Sequence, residues 1–216
     1  MAKIALVHGY GSGTTSKILK RMPQEYAGFS AFKHEVKTKE AAVFKWYVEE
    51  DFPNLEYLYN VARQLKVYKK EHQLARSHEL RVRFGEFLEL EKPQVVVAFS
   101  LGSMLAFTYF ELFGVPGFVH TLVTVQADLP DNFKFTNPDI IKRFESKSLR
   151  WINFYCPWDM LLPFSIIVNK AVPSGIRGSK NKYAENRLFP LLGKWNIHTG
   201  SINDAKFRDA VVNLLT

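Results

Sequence analysis

The stretch VVVAFSLGSMLA, residues 95–106, constrains the fold more than any other part of the chain. It opens with an apolar run that shows no polar alternation, so both faces of the strand it predicts must be covered. Strands buried on both faces belong to parallel sheets with helices on each side. The run then meets Ser100 and Gly102 and continues in a helical pattern as far as Phe113, ahead of Gly114. Strand, tight junction and helix in that order make a βα unit, which needs more of its kind beside it.

The rest of the chain supplies them. Lys3–His8, Gln94–Phe99, Thr121–Gln126, Trp151–Cys156 and Trp195–Ile197 read as strands, with Phe32–Val36 and Ala41–Trp46 as two further candidates. Ser16–Met22, Gly102–Phe113, Asp139–Ser146 and Ala205–Leu215 read as helices. Residues 54–90 read as two helices broken near His72 to Ser77. The alternation predicts a compact α/β fold, a mostly parallel central sheet flanked by helices, in a single domain over residues 1–216. Residues 164–194 are basic and punctuated by Gly and Pro, and are expected to form a mobile excursion near the active site.

Composition narrows the function classes. The 216 residues are 47% hydrophobic and 23% charged, as in a soluble globular protein that can bury a sizeable core. The aromatic share of 14% predicts a large core or an apolar pocket. A formal charge of +8 favours an anionic partner, but no motif points to nucleic acid. The lone cysteine, Cys156, cannot form an intrachain disulfide and suits a reducing compartment, so a cytoplasmic location is expected. Val95–Phe113 is the nearest approach to a membrane span. It is interrupted by Ser100, Gly102, Ser103 and Glu111, and no transmembrane segment is expected.

The first strand runs into HGYGSGTTSK, residues 8–17, a loop that could cradle an anion. A phosphate-binding P-loop needs Gly-Lys-Ser/Thr after its glycine and spacer, and Lys17 follows Ser16 instead. A dinucleotide loop needs Gly-x-Gly-x-x-Gly, and Gly9, Gly11 and Gly13 miss that spacing by one position. A concavity of backbone donors remains, and it suits a transient oxyanion.

Residues 98–102, Ala-Phe-Ser-Leu-Gly, match the nucleophile elbow Gly-x-Ser-x-Gly with Ala98 in the first glycine's place. Small residues are needed where strand and helix backbones crowd at the turn that lifts the serine out of the sheet. A serine nucleophile needs a base, and the base an orienting acid. Asp159 lies just past the Trp151–Cys156 strand, and His198 just past the short last one. Both fall at the sheet edge where α/β folds bind ligands. The rival histidine, His120, precedes a strand and belongs to the opposite edge. The rival acid, Asp128, follows the Thr121–Gln126 strand. Asp204 reads as a helix cap, Cys156 as a buried structural thiol, His8 as structural, and His72 and His78 as solvated surface. No metal-ligand spacing occurs.

With His8-Gly9 after the first strand, the elbow at Ser100, Asp159 with Pro163, and His198 near the end, the chain resembles the α/β-hydrolase superfamily over nearly its whole length. It looks like a small serine esterase, lipase or thioesterase. The resemblance implies an acyl-enzyme mechanism with Ser100 as nucleophile, His198 as base and Asp159 as acid. The backbone N–H groups of Tyr10 and Leu101 would form the oxyanion hole, and no cofactor is required. Phe99, Trp158 and Phe164, with Tyr10, would line a pocket for an apolar acyl or aryl group on a small-molecule ester or thioester. Two alternatives stand beside this: an acyltransferase of the same fold, and a non-catalytic binding protein that kept the elbow.

Overall fold

The computed structural model describes residues 1–9, 28–46, 61–159, 162–189 and 197–215. Among these residues six strands form one parallel sheet: β1 (Ile4–Val7), β2 (Ala41–Phe44), β3 (Val95–Phe99), β4 (Thr121–Val125), β5 (Arg150–Tyr155) and β6 (Ala184–Leu188). Their order is β2-β1-β3-β4-β5-β6, and every neighbouring pair is parallel. The helices are α1 (Lys33–Lys37), α2 (Val61–Ala75), α3 (His78–Glu91), α4 (Leu101–Phe113), α5 (Pro138–Glu145), α6 (Pro163–Asn169), α7 (Ser174–Arg177), α8 (Ile197–Gly200) and α9 (Ala205–Val212). Among the described residues, no helix is long and apolar enough to cross a membrane.

Side chains of successive strand residues go to opposite faces, and the two faces bury separate cores. Ala5, Val7, Val96, Ala98, Leu122 and Trp151 join Phe84 of α3 and Phe107 and Phe110 of α4 on one side. Ile4, Leu6, Val97, Phe99, Ile152 and Phe154 join Phe29, Phe32 and Phe207 on the other. The aromatic residues thus serve the core, where each fully buried ring is worth about 2–3 kcal/mol.

The chain steps outward from β1 to β2, then crosses back to β3 and runs on to β6. The direction therefore reverses between β1 and β3, the position beyond whose strand carboxyl ends open α/β sheets bind their ligands. Gly9 and Ser100 both lie there.

The structure sharpens several sequence expectations. Phe32–Val36 is not a strand: a 3-10 turn at Ser30–Phe32 leads into α1. Phe29 and Phe32 bury together at helical spacing, and Glu35 is buried one turn on, bound by the Arg208 guanidinium. Residues 164–194, expected as a mobile excursion, carry most of α6, all of α7 and the edge strand β6. Of the expected strand Trp195–Ile197 only Ile197 is described, and it begins α8. The Ser16–Met22 helix lies outside the described residues.

Candidate active site

Ser100 joins β3 to α4 with φ 50° and ψ −124°, a region that L-residues avoid. Its neighbours hold it there. The Ser100 N–H donates to Val125 O at 3.1 Å, and its carbonyl accepts from Ser103 N–H at 3.0 Å and Asp128 N–H at 3.1 Å. The Ser103 hydroxyl donates to the same carbonyl and accepts from Asp128 N–H. The turn also depends on two glycines. A Cβ on Gly102 would lie 2.4 Å from His8 O, and one on Gly9 would lie 2.6 Å from the Ser100 Cβ.

His198, on α8, places Nε2 3.0 Å from Ser100 Oγ and Nδ1 2.6 Å from Asp159 Oδ2. A carboxylate has no proton to give, so Nδ1 carries the proton and the Nε2 lone pair faces the Ser100 hydroxyl. Asp159, just beyond β5, is held by its own N–H to Cys156 O at 3.2 Å and by Leu162 N–H on Oδ1 at 3.2 Å. All three side chains are buried, where hydrogen bonds and charges act more strongly than in water. The Phe99 ring packs against the imidazole, centroids 4.9 Å apart, and is itself buried.

Leu101 opens α4, and the helix's own ladder does not use N–H groups at that position. Tyr10 lies outside the described residues, as does the side chain of Phe164. Trp158 is 63% exposed beside Asp159.

The rivals sit elsewhere. His120 is exposed at the amino end of β4. Asp128 is fully buried, and its carboxylate accepts from Tyr68 and Ser165 hydroxyls and from Asn169 Nδ2 at 3.0 Å. Burial pushes that carboxyl up to about 6, against the opposing pull of the Ser165 and Tyr68 hydrogen bonds. His8 is buried, with Nδ1 donating to Gly9 O and Nε2 accepting from Trp46 N–H at 3.0 Å. Burial pushes it down to about 4. Cys156 is a buried free thiol. His72, expected on a solvated surface, is buried on α2, and burial lowers its pKa. Among the described residues, no group of three His, Cys, Asp or Glu side chains could hold a metal ion.

Two residues beside the pair Asp159–His198 carry no sequence signal. Gln126 Nε2 donates to Asp159 Oδ2 at 2.6 Å, and the Ser201 hydroxyl donates to Gln126 Oε1. An amide at a strand end and a serine past a short helix match no motif, so spacing alone does not find them.

No protein-family model matches the chain, and no curated protein does. Among solved structures it is similar to one described as the crystal structure of TT1662 from Thermus thermophilus, at 14% identity and a TM-score of 0.40, covering 99% of this chain and 87% of that one. A similarity this distant has no bearing on the chemistry.

Proposed function

We propose that the protein is a serine hydrolase of the α/β-hydrolase kind, cleaving a carboxylic ester or thioester through an acyl-enzyme. The observation that carries the reading is the continuous line from Ser100 Oγ to His198 Nε2 at 3.0 Å and from His198 Nδ1 to Asp159 Oδ2 at 2.6 Å. His198 takes the Ser100 proton as Oγ attacks the carbonyl carbon. Asp159 keeps the imidazole in the productive tautomer and stabilises the imidazolium. The Leu101 N–H, at the amino end of α4, and the Tyr10 N–H receive the oxyanion. One such donor is worth about 3 kcal/mol of barrier. His198 then protonates the leaving group, and water repeats the sequence on the acyl-enzyme.

A binding protein that merely kept the elbow would be favoured by a His198 turned away from Ser100, and the 3.0 Å approach supports the catalytic reading instead. The substrate is a small ester or thioester, with the formal charge of +8 favouring an anionic one. The test is labelling with a fluorophosphonate probe, the label located by peptide mass spectrometry. Label on Ser100 that disappears in Ser100→Ala and slows strongly in His198→Ala supports the reading. A folded wild-type protein that takes up no label sinks it.

A further inference from the structure

Two central strands of the sheet are followed directly by non-glycine residues with positive φ: β3 by Ser100 and β4 by Gln126, at φ 45°. Gln126 is buried, and its backbone is pinned from two sides. Its N–H donates to Phe154 O at 2.9 Å, and Gly175 of α7 packs so tightly that a Cβ there would lie 2.4 Å from the Gln126 carbonyl carbon. Strain of this kind persists where the surroundings over-determine it, and it clusters at functional sites. A buried amide is also costly unless both of its ends are hydrogen-bonded.

Both ends of this one are. Nε2 donates to Asp159 Oδ2, the oxygen that also takes His198 Nδ1. Oε1 accepts from the Ser201 hydroxyl. The sense of the amide is forced: an ionised carboxylate only accepts, so NH2 must face Asp159 and the amide oxygen must face Ser201. Ser201 immediately follows α8, which carries His198, and is buried. A directed chain therefore runs from Ser201 through Gln126 to Asp159. It ties the loop after β5 and the histidine-bearing segment to the end of β4.

Resting on the hydrolase reading above, we propose that Gln126 is a positioning residue for the reaction: its amide fixes the Asp159 carboxylate in line with His198, and the Ser201 hydroxyl anchors the oxygen end of that amide. Gln126 touches neither the Ser100 hydroxyl nor a reacting atom, and it acts through Asp159.

Two substitutions separate this from a packing role. Gln126→Met fills similar space and never donates. Gln126→Glu is nearly isosteric but sets a second carboxyl against Asp159. Two carboxylates so close resist ionising together, so the pair retains a proton to a higher pH than either alone. While protonated, the new carboxyl can donate to Asp159 as the amide did. Once ionised, it cannot.

The experiment is the second-order rate of fluorophosphonate labelling at Ser100 for wild type, Gln126→Met, Gln126→Glu and Ser201→Ala, from about pH 5 to about pH 8. Each variant's rate is divided by the wild-type rate at the same pH, which cancels titrations common to both. Gln126→Met is expected about 10- to 100-fold slow throughout, the loss of a hydrogen bond to a charged group. Gln126→Glu is expected equally slow at the alkaline end and to recover toward wild type as pH falls. Ser201→Ala is expected to be a few-fold slow. A pH-independent ratio for Gln126→Glu, or a wild-type rate in Gln126→Met, overturns the inference. Should Gln126→Met fail to fold, the Gln126→Glu ratio still decides. A labelled wild type with indifferent Gln126 variants removes this inference alone, whereas an unlabelled wild type removes the hydrolase reading and this inference with it.

Discussion

Ser100 holds a backbone conformation, φ 50° and ψ −124°, that glycine accepts freely and other residues do not. Ser100→Ala removes the hydroxyl and keeps the strain, while Ser100→Gly removes both. Neither variant should take a fluorophosphonate label. In urea denaturation Ser100→Gly should exceed Ser100→Ala by about 1 kcal/mol, and equal stabilities would mean the turn is unstrained. Asp159→Asn should label about 10,000-fold more slowly with its fold intact. An amide NH2 facing Nδ1 drives the proton to Nε2, leaving no lone pair toward Ser100. Labelling at near the wild-type rate would show that Asp159 does not set the tautomer. Ser100 and Asp159 were legible because each follows an apolar run, and parallel strands bring such positions to one edge; His198 was reached through an expected Trp195–Ile197 strand, and the structure carries it on α8 instead. Gln126 and Ser201 were not legible, because their roles depend on a turn of φ 45° and a helix end that no residue spacing encodes. Trp158, expected from its place beside the acid to line a pocket, is 63% exposed.

Elements were legible where periodicity was strong. β1, β3, β4 and β5 appear within a residue or two of their apolar runs, and the break between α2 and α3 falls at residues 76–77. The weaker readings failed for identifiable reasons. α1 is five residues long, too short to announce itself by periodicity, and Arg208 of α9 binds its Glu35. β6 reads AENRL, with no buried alternation to announce it. It joins the sheet through a polar ladder, Thr124 to Asn153 at 2.7 Å and Asn153 to Asn186 at 3.0 Å, which links β4, β5 and β6. Such a ladder pins register, because a one-residue slip would leave the buried Asn153 amide without its partners. Asp204, read as a cap, does accept from Lys206 N–H at 2.8 Å at the start of α9. Asp204→Ala should therefore cost about 1 kcal/mol in chemical denaturation. Because α9 buries Phe207 and Val211 under the sheet without reaching Ser100, the loss should appear in stability and leave the labelling rate unchanged. A variant as stable as wild type would mean the cap adds nothing here.

At the scale of the whole molecule, two buried groups set opposite responses to acid. His8 titrates near 6.5 when unfolded and is pushed down to about 4 by burial in the fold. Between those values the unfolded chain binds the extra proton, so stability present above pH 6.5 is lost as pH falls toward 4, by about 3 kcal/mol. The cost has a structural origin: burial strips water from the charged ring, and protonated Nε2 can no longer accept from Trp46 N–H. Asp128 runs the other way. Its folded value near 6 lies above the unfolded 3.8, so the fold binds the extra proton and gains about 3 kcal/mol as pH falls across that window. Between about pH 6 and about pH 4 the two contributions nearly cancel. Acid also adds positive charge to a chain already at +8, but that repulsion is a background shared by every variant. Asp128→Asn removes the offsetting group and leaves His8. Relative to wild type, its unfolding free energy in urea should therefore drop by about 3 kcal/mol more between pH 6 and pH 4. His8→Gln should show the opposite difference and hold or gain stability over the same interval. Parallel curves for Asp128→Asn and wild type would mean the buried carboxylate titrates as it does in the unfolded chain. The clasp that Tyr68 of α2 and Ser165 and Asn169 of α6 form on Asp128 would then be indifferent to its charge.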